Sequence, residues 1–90
     1  MTKERRYYIA YEICSYIKDC DTLNQFKDYE FCMYVANMAN NIKYAIKNND
    51  SSVLKPYYEA LKYKHTKRTK ELIELLDEWK KYLYVYKSVV

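Results

Sequence analysis

Few side chains in this sequence are of types that do chemistry, and the most suggestive gather in one place. The segment KYKHTKRTKE, residues 62 to 71, holds the only imidazole, His65, among five of the chain's sixteen Lys and Arg residues. Histidine serves as a general base or as a nucleophile's partner when a nucleophile and an orienting carboxylate are held against it. No sequence-local group of either kind accompanies His65. Asp19 with Asp21 and Asp77 with Glu78 are the paired carboxylates, and both pairs read as solvated or capping groups.

Metal binding has as little support. Cys14, Cys20 and Cys32 are an odd number without a CxxC pair, which fits neither a disulfide framework nor a zinc ribbon. A Cys3His set with His65 exists by count, but Cys14 and Cys20 lie roughly 120° apart around a helix at about 100° per residue, so one face does not present both. They read as three small buried or half-buried thiols of a reducing cytosol. Glycine is absent. Phosphate-cradling loops, dinucleotide-binding turns and nucleophile elbows need backbone conformations that a Cβ obstructs, so most nucleotide-enzyme templates go with it. The expectation is a non-enzyme with no metal and no cofactor.

Charge is the remaining feature. Lys55, Lys62, Lys64, His65, Lys67, Arg68 and Lys70 form a candidate basic patch, interleaved with Tyr57, Tyr58 and Tyr63. Cations release counterions from phosphates and planar rings stack unpaired bases, so such a patch suits nucleic acid. The signal is weak, because a sequence pI ≈ 8.9 lies under the rough level of 9 at which charge alone suggests that partner. A solvated face, or one complementing an acidic protein, ranks first and nucleic acid second.

Helices must position these groups. A Thr2 cap opens a first helix to about Cys20, along which Ile9, Ile13, Tyr16, Ile17 and Cys20 make one apolar stripe. Thr22 and Gln25 match the T-x-x-Q capping box, which predicts a second helix from near Leu23 to about Asn48. Phe31, Val35, Met38, Ile42 and Ile46 form its apolar face, widened by Phe26 and Met33. NNDSS, residues 48 to 52, supplies a turn, and Pro56 suits the first turn of a third helix. That helix carries Leu72, Leu76, Trp79, Leu83, Tyr86 and Val90 at alternating steps of four and three, a heptad-like seam. Traced backwards, the seam meets Arg68 and His65 at two successive core-type positions. Either the helix breaks near Thr66 or Thr69, or it runs on through the basic segment. The continuous helix is favoured, because basic residues are poorly placed at the positive N-terminal end of a new one. A strand over YLYVYKSVV is the minority alternative.

Ninety residues, 50% apolar and 31% charged, make one domain with a modest core. No run approaches eighteen uninterrupted apolar residues, and MTKERRYY does not lead into a signal-peptide core, which predicts a cytoplasmic protein without membrane contact. An up-down-up arrangement would gather Lys3, Arg5, Arg6, Lys43, Lys47, Lys55 and Lys62 at one end. Asp19, Asp21, Asp28 and Glu30 would gather at the other, with Glu74, Asp77 and Glu78 on the lower part of helix three. Tyr7, Tyr11 and Cys14 recur on the side of helix one away from the isoleucine stripe and are a candidate protein interface.

The expectation is therefore all-α, a small three-helix bundle with a long C-terminal helix, or four-helix if that helix breaks, in a single domain over residues 1–90. Such a protein works by binding, as an interaction module that pairs with itself or with an acidic protein. Abundant Tyr, Lys, Asn and Ile, whose codons are AT-rich, suggest an accessory or host-protein inhibitor from a phage or mobile element. The alternative is a nucleic-acid-binding accessory protein using the basic segment 55–70.

Overall fold

The computed structural model describes residues 1–20 and 26–83. All regular structure among them is helical: α1 (Lys3–Asp19), α2 (Asp28–Asn48), α3 (Lys55–Lys62) and α4 (Lys67–Leu76), with 3-10 turns at Ser51–Leu54 and Asp77–Tyr82. The all-α expectation holds, in its four-helix form. None of the described helices is long and apolar enough to cross a membrane.

The start of α1 is the predicted one, with Thr2 Oγ1 accepting the Arg5 N–H at 3.1 Å. The Thr22–Gln25 capping box lies outside the described residues. The second helix starts later than predicted, at Asp28 behind Lys27, with no side-chain cap and with Asp28 and Glu30 in its first turn. Those carboxylates oppose the positive end of the helix dipole. Its other end closes at Asn49, whose φ of 50° is left-handed. Asparagine tolerates that region better than other residues with a side chain, which suits a chain that has no glycine. Asp50 then accepts the Ser52 N–H at 2.9 Å, making the predicted turn. Pro56 sits in the first turn of α3, where it leaves no hydrogen bond broken.

The continuous third helix is corrected, because the chain breaks at Tyr63–Thr66. Thr66 Oγ1 accepts the Thr69 N–H at 3.1 Å, and Thr69 Oγ1 accepts the Thr66 N–H at 3.0 Å, a reciprocal capping box built from two threonines. The Thr69 hydroxyl also donates to the Lys64 carbonyl at 2.6 Å, so one buried side chain holds the turn. The break also resolves the clash at the seam, since His65 and Arg68 are both exposed. Thr69→Val keeps the shape but leaves the Thr66 N–H and Lys64 carbonyl without this partner. A loss of about 1 to 3 kcal/mol in urea denaturation is expected, and an unchanged midpoint would show that the turn does not depend on the hydroxyl.

The break reverses the chain, and that decides the assembly. Pro56 and Tyr57 share a depression with Cys14 and Ile17, and Ala60, Tyr63 and Lys64 share another with Tyr16, Ile17 and Cys20, so the end of α3 lies toward the C-terminal end of α1. The following helix returns antiparallel: Arg68 meets Glu12 at 2.7 Å, and near the other end Arg5 forks onto Glu78 with two contacts of 2.9 Å. Arg5 thereby holds the Glu78 carboxyl below its ordinary range. Ile9, Ile13, Met38, Ile42, Leu54, Leu61, Leu72, Leu76 and Trp79 share one core with contributions from every helix. The buried face of α1 is rotated from the predicted stripe: Ala10 and Cys14 are buried with Ile9 and Ile13, whereas Cys20 is exposed. Small side chains at 10 and 14 let α2 approach closely.

Candidate functional site

The predicted basic patch is divided by the fold. Arg68 reaches Glu12 and also Glu71 at 3.9 Å, and Lys55 reaches Glu59 at 3.9 Å, so these two members are paired. Lys62 lies over the Tyr58 ring, 5.6 Å from its centroid. Lys64, His65, Lys67 and Lys70 are exposed and make no side-chain hydrogen bond or ion pair with any described residue. They sit on the turn between α3 and α4 and on the first turn of α4. A shallow depression of about 670 Å³ is lined by Lys62, Lys64, His65, Lys67 and Lys70 together with Glu74.

The tyrosines of this segment part company. Tyr57 accepts from Asn41 Nδ2 at 3.2 Å, and burial pushes its phenol up. Tyr58 accepts the Trp79 indole N–H at 3.1 Å and donates to the Asp77 carboxylate; burial again raises its phenol, with Asp77 adding to it. Both rings are therefore structural members. Tyr63, in contrast, is 84% exposed at the start of the turn, as the cap of α3. Of the three rings interleaved with the patch, it alone has an open face.

The expected polarisation of charge is also corrected. Lys3, Arg5 and Arg6 do not share an end with Lys62, because Lys64 and Tyr63 lie beside Cys20 at the far end of α1. The returning α4 segment brings Glu78 to Arg5 instead. The cause is the break at residues 63 to 66, which folds the acidic half of the expected long helix back onto α1.

The row Tyr7, Tyr11 and Cys14 does not form one exposed strip. Cys14 is buried, with its thiol 4.0 Å from the Met38 thioether, and burial pushes it up to about 11. Tyr7 is half-buried under Lys3, and Tyr11 packs edge-on against Phe31 at 5.7 Å between centroids. The row turns into the α1–α2 seam as it descends the helix.

A second surface escaped the sequence reading. On α2 the side chains of Tyr29, Met33, Asn37, Asn40 and Tyr44 are all exposed, opposite the buried Val35, Met38, Ala39, Ile42 and Ala45. Their spacing places them within an arc of roughly 80° at about 100° per residue. Met33, predicted to widen the core face, is 60% exposed, and Tyr29 is 62% exposed. From Phe31 to Ile42 the sequence FCMYVANMANNI has no charged residue, in a chain where 31% are charged. That uncharged run was the available signal.

Among the described residues, no group of three or more His, Cys, Asp or Glu is placed to hold a metal ion. Comparison of the chain with models of protein families, with curated proteins and with solved structures found no match.

Proposed function

We propose that the protein is a non-enzymatic interaction module that works by presenting helical surface, and that the outer face of α2 pairs with the same face of a second copy. The uncharged run from Phe31 to Ile42 carries this reading. A solvent-facing stretch of helix is normally charged, and interface centres are depleted of charge and enriched in Tyr and Met.

A second copy fits better than an unlike partner for two reasons. The molecule has a net charge of +4, and two copies repel least where they meet on an uncharged stripe. The stripe is also close to symmetric about Asn37: in an antiparallel pair Tyr29 faces the second copy's Tyr44, and Met33 faces the second copy's Asn40. The acidic start of α2 at Asp28 and Glu30 then lies toward the basic end of the other helix at Lys43 and Lys47. Exposed amides at Asn37 and Asn40 set the register, as buried polar positions do in helical pairs.

One helix of 21 residues is roughly 30 Å long, so the paired area falls at the small end for protein interfaces and the dimer is weak. Sedimentation equilibrium is expected to give dissociation in the range of about 10 to 500 µM, a free energy of roughly 4.5 to 7 kcal/mol. Met33→Glu places like charges near the centre of the pair and is expected to leave a monomer of unchanged helical content. A wild-type protein that is monomeric at about 1 mM sinks the proposal, as does a dimer that Met33→Glu leaves intact.

A further inference from the structure

We infer that the turn between α3 and α4 is a binding site for single-stranded nucleic acid, with Lys62, Lys64, Lys67 and Lys70 on the phosphates and Tyr63 stacking a base. This site shares no residue with the α2 face, so it stands or falls separately from the self-pairing proposed above.

Electrostatics gives the first reason. The start of α4 reads KRTK, with no acidic residue in its first turn, against the preference of a helix for negative charge at that end. Asp28 and Glu30 open α2 and Glu4 lies in the first turn of α1, whereas α3, like α4, starts on a lysine with no acidic residue in its first turn. The capping threonines already occupy the Thr66 and Thr69 backbone amides, so the feature that attracts an anion here is the cluster of side chains. Lys64, Lys67 and Lys70 lack carboxylate partners among the described residues, whereas Arg5, Lys55 and Arg68 all have them.

The open ring gives the second. A tyrosine that is 84% exposed amid four lysines contributes nothing to the core, and its face is the platform that an unpaired base needs. Lysine on phosphate with an aromatic ring on the base is the two-part chemistry of single-strand binding.

A duplex fits less well. Two short helices joined at Tyr63–Thr66 have the local build of a helix-turn-helix, in which the second helix enters the major groove. The outward face of α4 carries Lys67 and Lys70 in its first turn but Glu71 and Glu74 in its second, all exposed. Inserting that face would drive two carboxylates toward the phosphate walls. A strand that crosses the turn meets the lysines and Tyr63 and leaves by the first turn of α4.

Fluorescence anisotropy with labelled 12-nucleotide thymidine and uridine strands, titrated from about 50 to 200 mM salt, tests this. The full chain is expected to bind both, with dissociation constants of about 1 to 100 µM and a log–log salt slope of roughly −2 to −3 for three to four phosphates. The K64Q/K67Q/K70Q variant keeps Arg68 on Glu12 and is expected to lose about 2 from that slope. Tyr63→Ala is expected to weaken binding roughly 5- to 150-fold with little change in slope. Circular dichroism confirms that both variants stay folded. Absence of binding at 50 mM salt, tighter binding to the matching duplex, equal binding to polyglutamate as a stand-in for an acidic protein, or insensitivity to either variant would each overturn the assignment.

Discussion

Trp79→Ala is expected to lower stability by about 3 to 5 kcal/mol in chemical denaturation. The ring is 3% exposed and belongs to the one core that all four helices share. Removal takes away the largest apolar side chain in that core together with its indole N–H, which bonds Tyr58 Oη at 3.1 Å. Tyr58 in turn donates to Asp77, so one of two hydrogen bonds between α3 and the 3-10 turn after α4 is lost with the ring. A domain of this size has roughly 5 to 13 kcal/mol in total at about 0.05 to 0.15 kcal/mol per residue, so the variant stands near its folding threshold. Trp79→Phe is expected to recover much of the loss. A change below about 1 kcal/mol for the alanine variant would show that the seam is not packed around this residue.

The second large effect is on thiol chemistry. The expectation of three buried or half-buried thiols is corrected, since Cys14 is buried but Cys20 and Cys32 are exposed. The thiolate is the reacting species, and burial pushes the Cys14 thiol up to about 11, so at pH 8 it is both inaccessible and protonated. A disulfide reagent is therefore expected to modify two thiols quickly and the third slower by a factor on the order of 10³ or more, through openings of the α1–α2 pair. Denaturant restores three fast thiols. Three fast thiols without denaturant would place Cys14 on the surface, as the sequence pattern had suggested.

That contrast shows where the sequence was legible. Helix content, the Thr2 cap, the NNDSS turn and Pro56 are local features that appear as read. Leu72, Leu76 and Trp79 are buried as expected, but the long helix that was to carry them ends at Leu76, with Trp79 in a 3-10 turn. Tyr86, Val90 and most of YLYVYKSVV lie outside the described residues. Cys14 was misplaced because its burial comes from α2 packing closely over Ala10 and Cys14, and periodicity within α1 carries no information about which partner lies where. The break near Thr66 ranks second from the sequence because a helix start of KRTK opposes the helix dipole, and the reciprocal capping box that stabilises it pairs Thr66 with Thr69. The rejected helix start is electrostatically unfavourable, and it forms because Thr69, Leu72 and Leu76 are all buried behind it. Of the basic patch, Lys62, Lys64, His65, Lys67 and Lys70 are exposed. Lys55 and Arg68 found carboxylates, and for Arg68 the close one, Glu12, stands 56 positions away in the chain.

Asn49 is the only left-handed residue among those described, in a chain that has no glycine at all. An average sequence of this length would hold about six glycines at roughly 7%. Each glycine replaced by a residue with a side chain, where the folded backbone permits it, narrows the range of shapes open to the unfolded chain and favours folding by about 0.4 to 1 kcal/mol. Across the domain the difference is roughly 2 to 6 kcal/mol, comparable to the whole net stability of a small fold. The lack of glycine thus acts on the ensemble before folding, where it reduces the disorder that a modest core has to overcome, and among the described residues Asn49 takes the one left-handed position that glycine would otherwise fill.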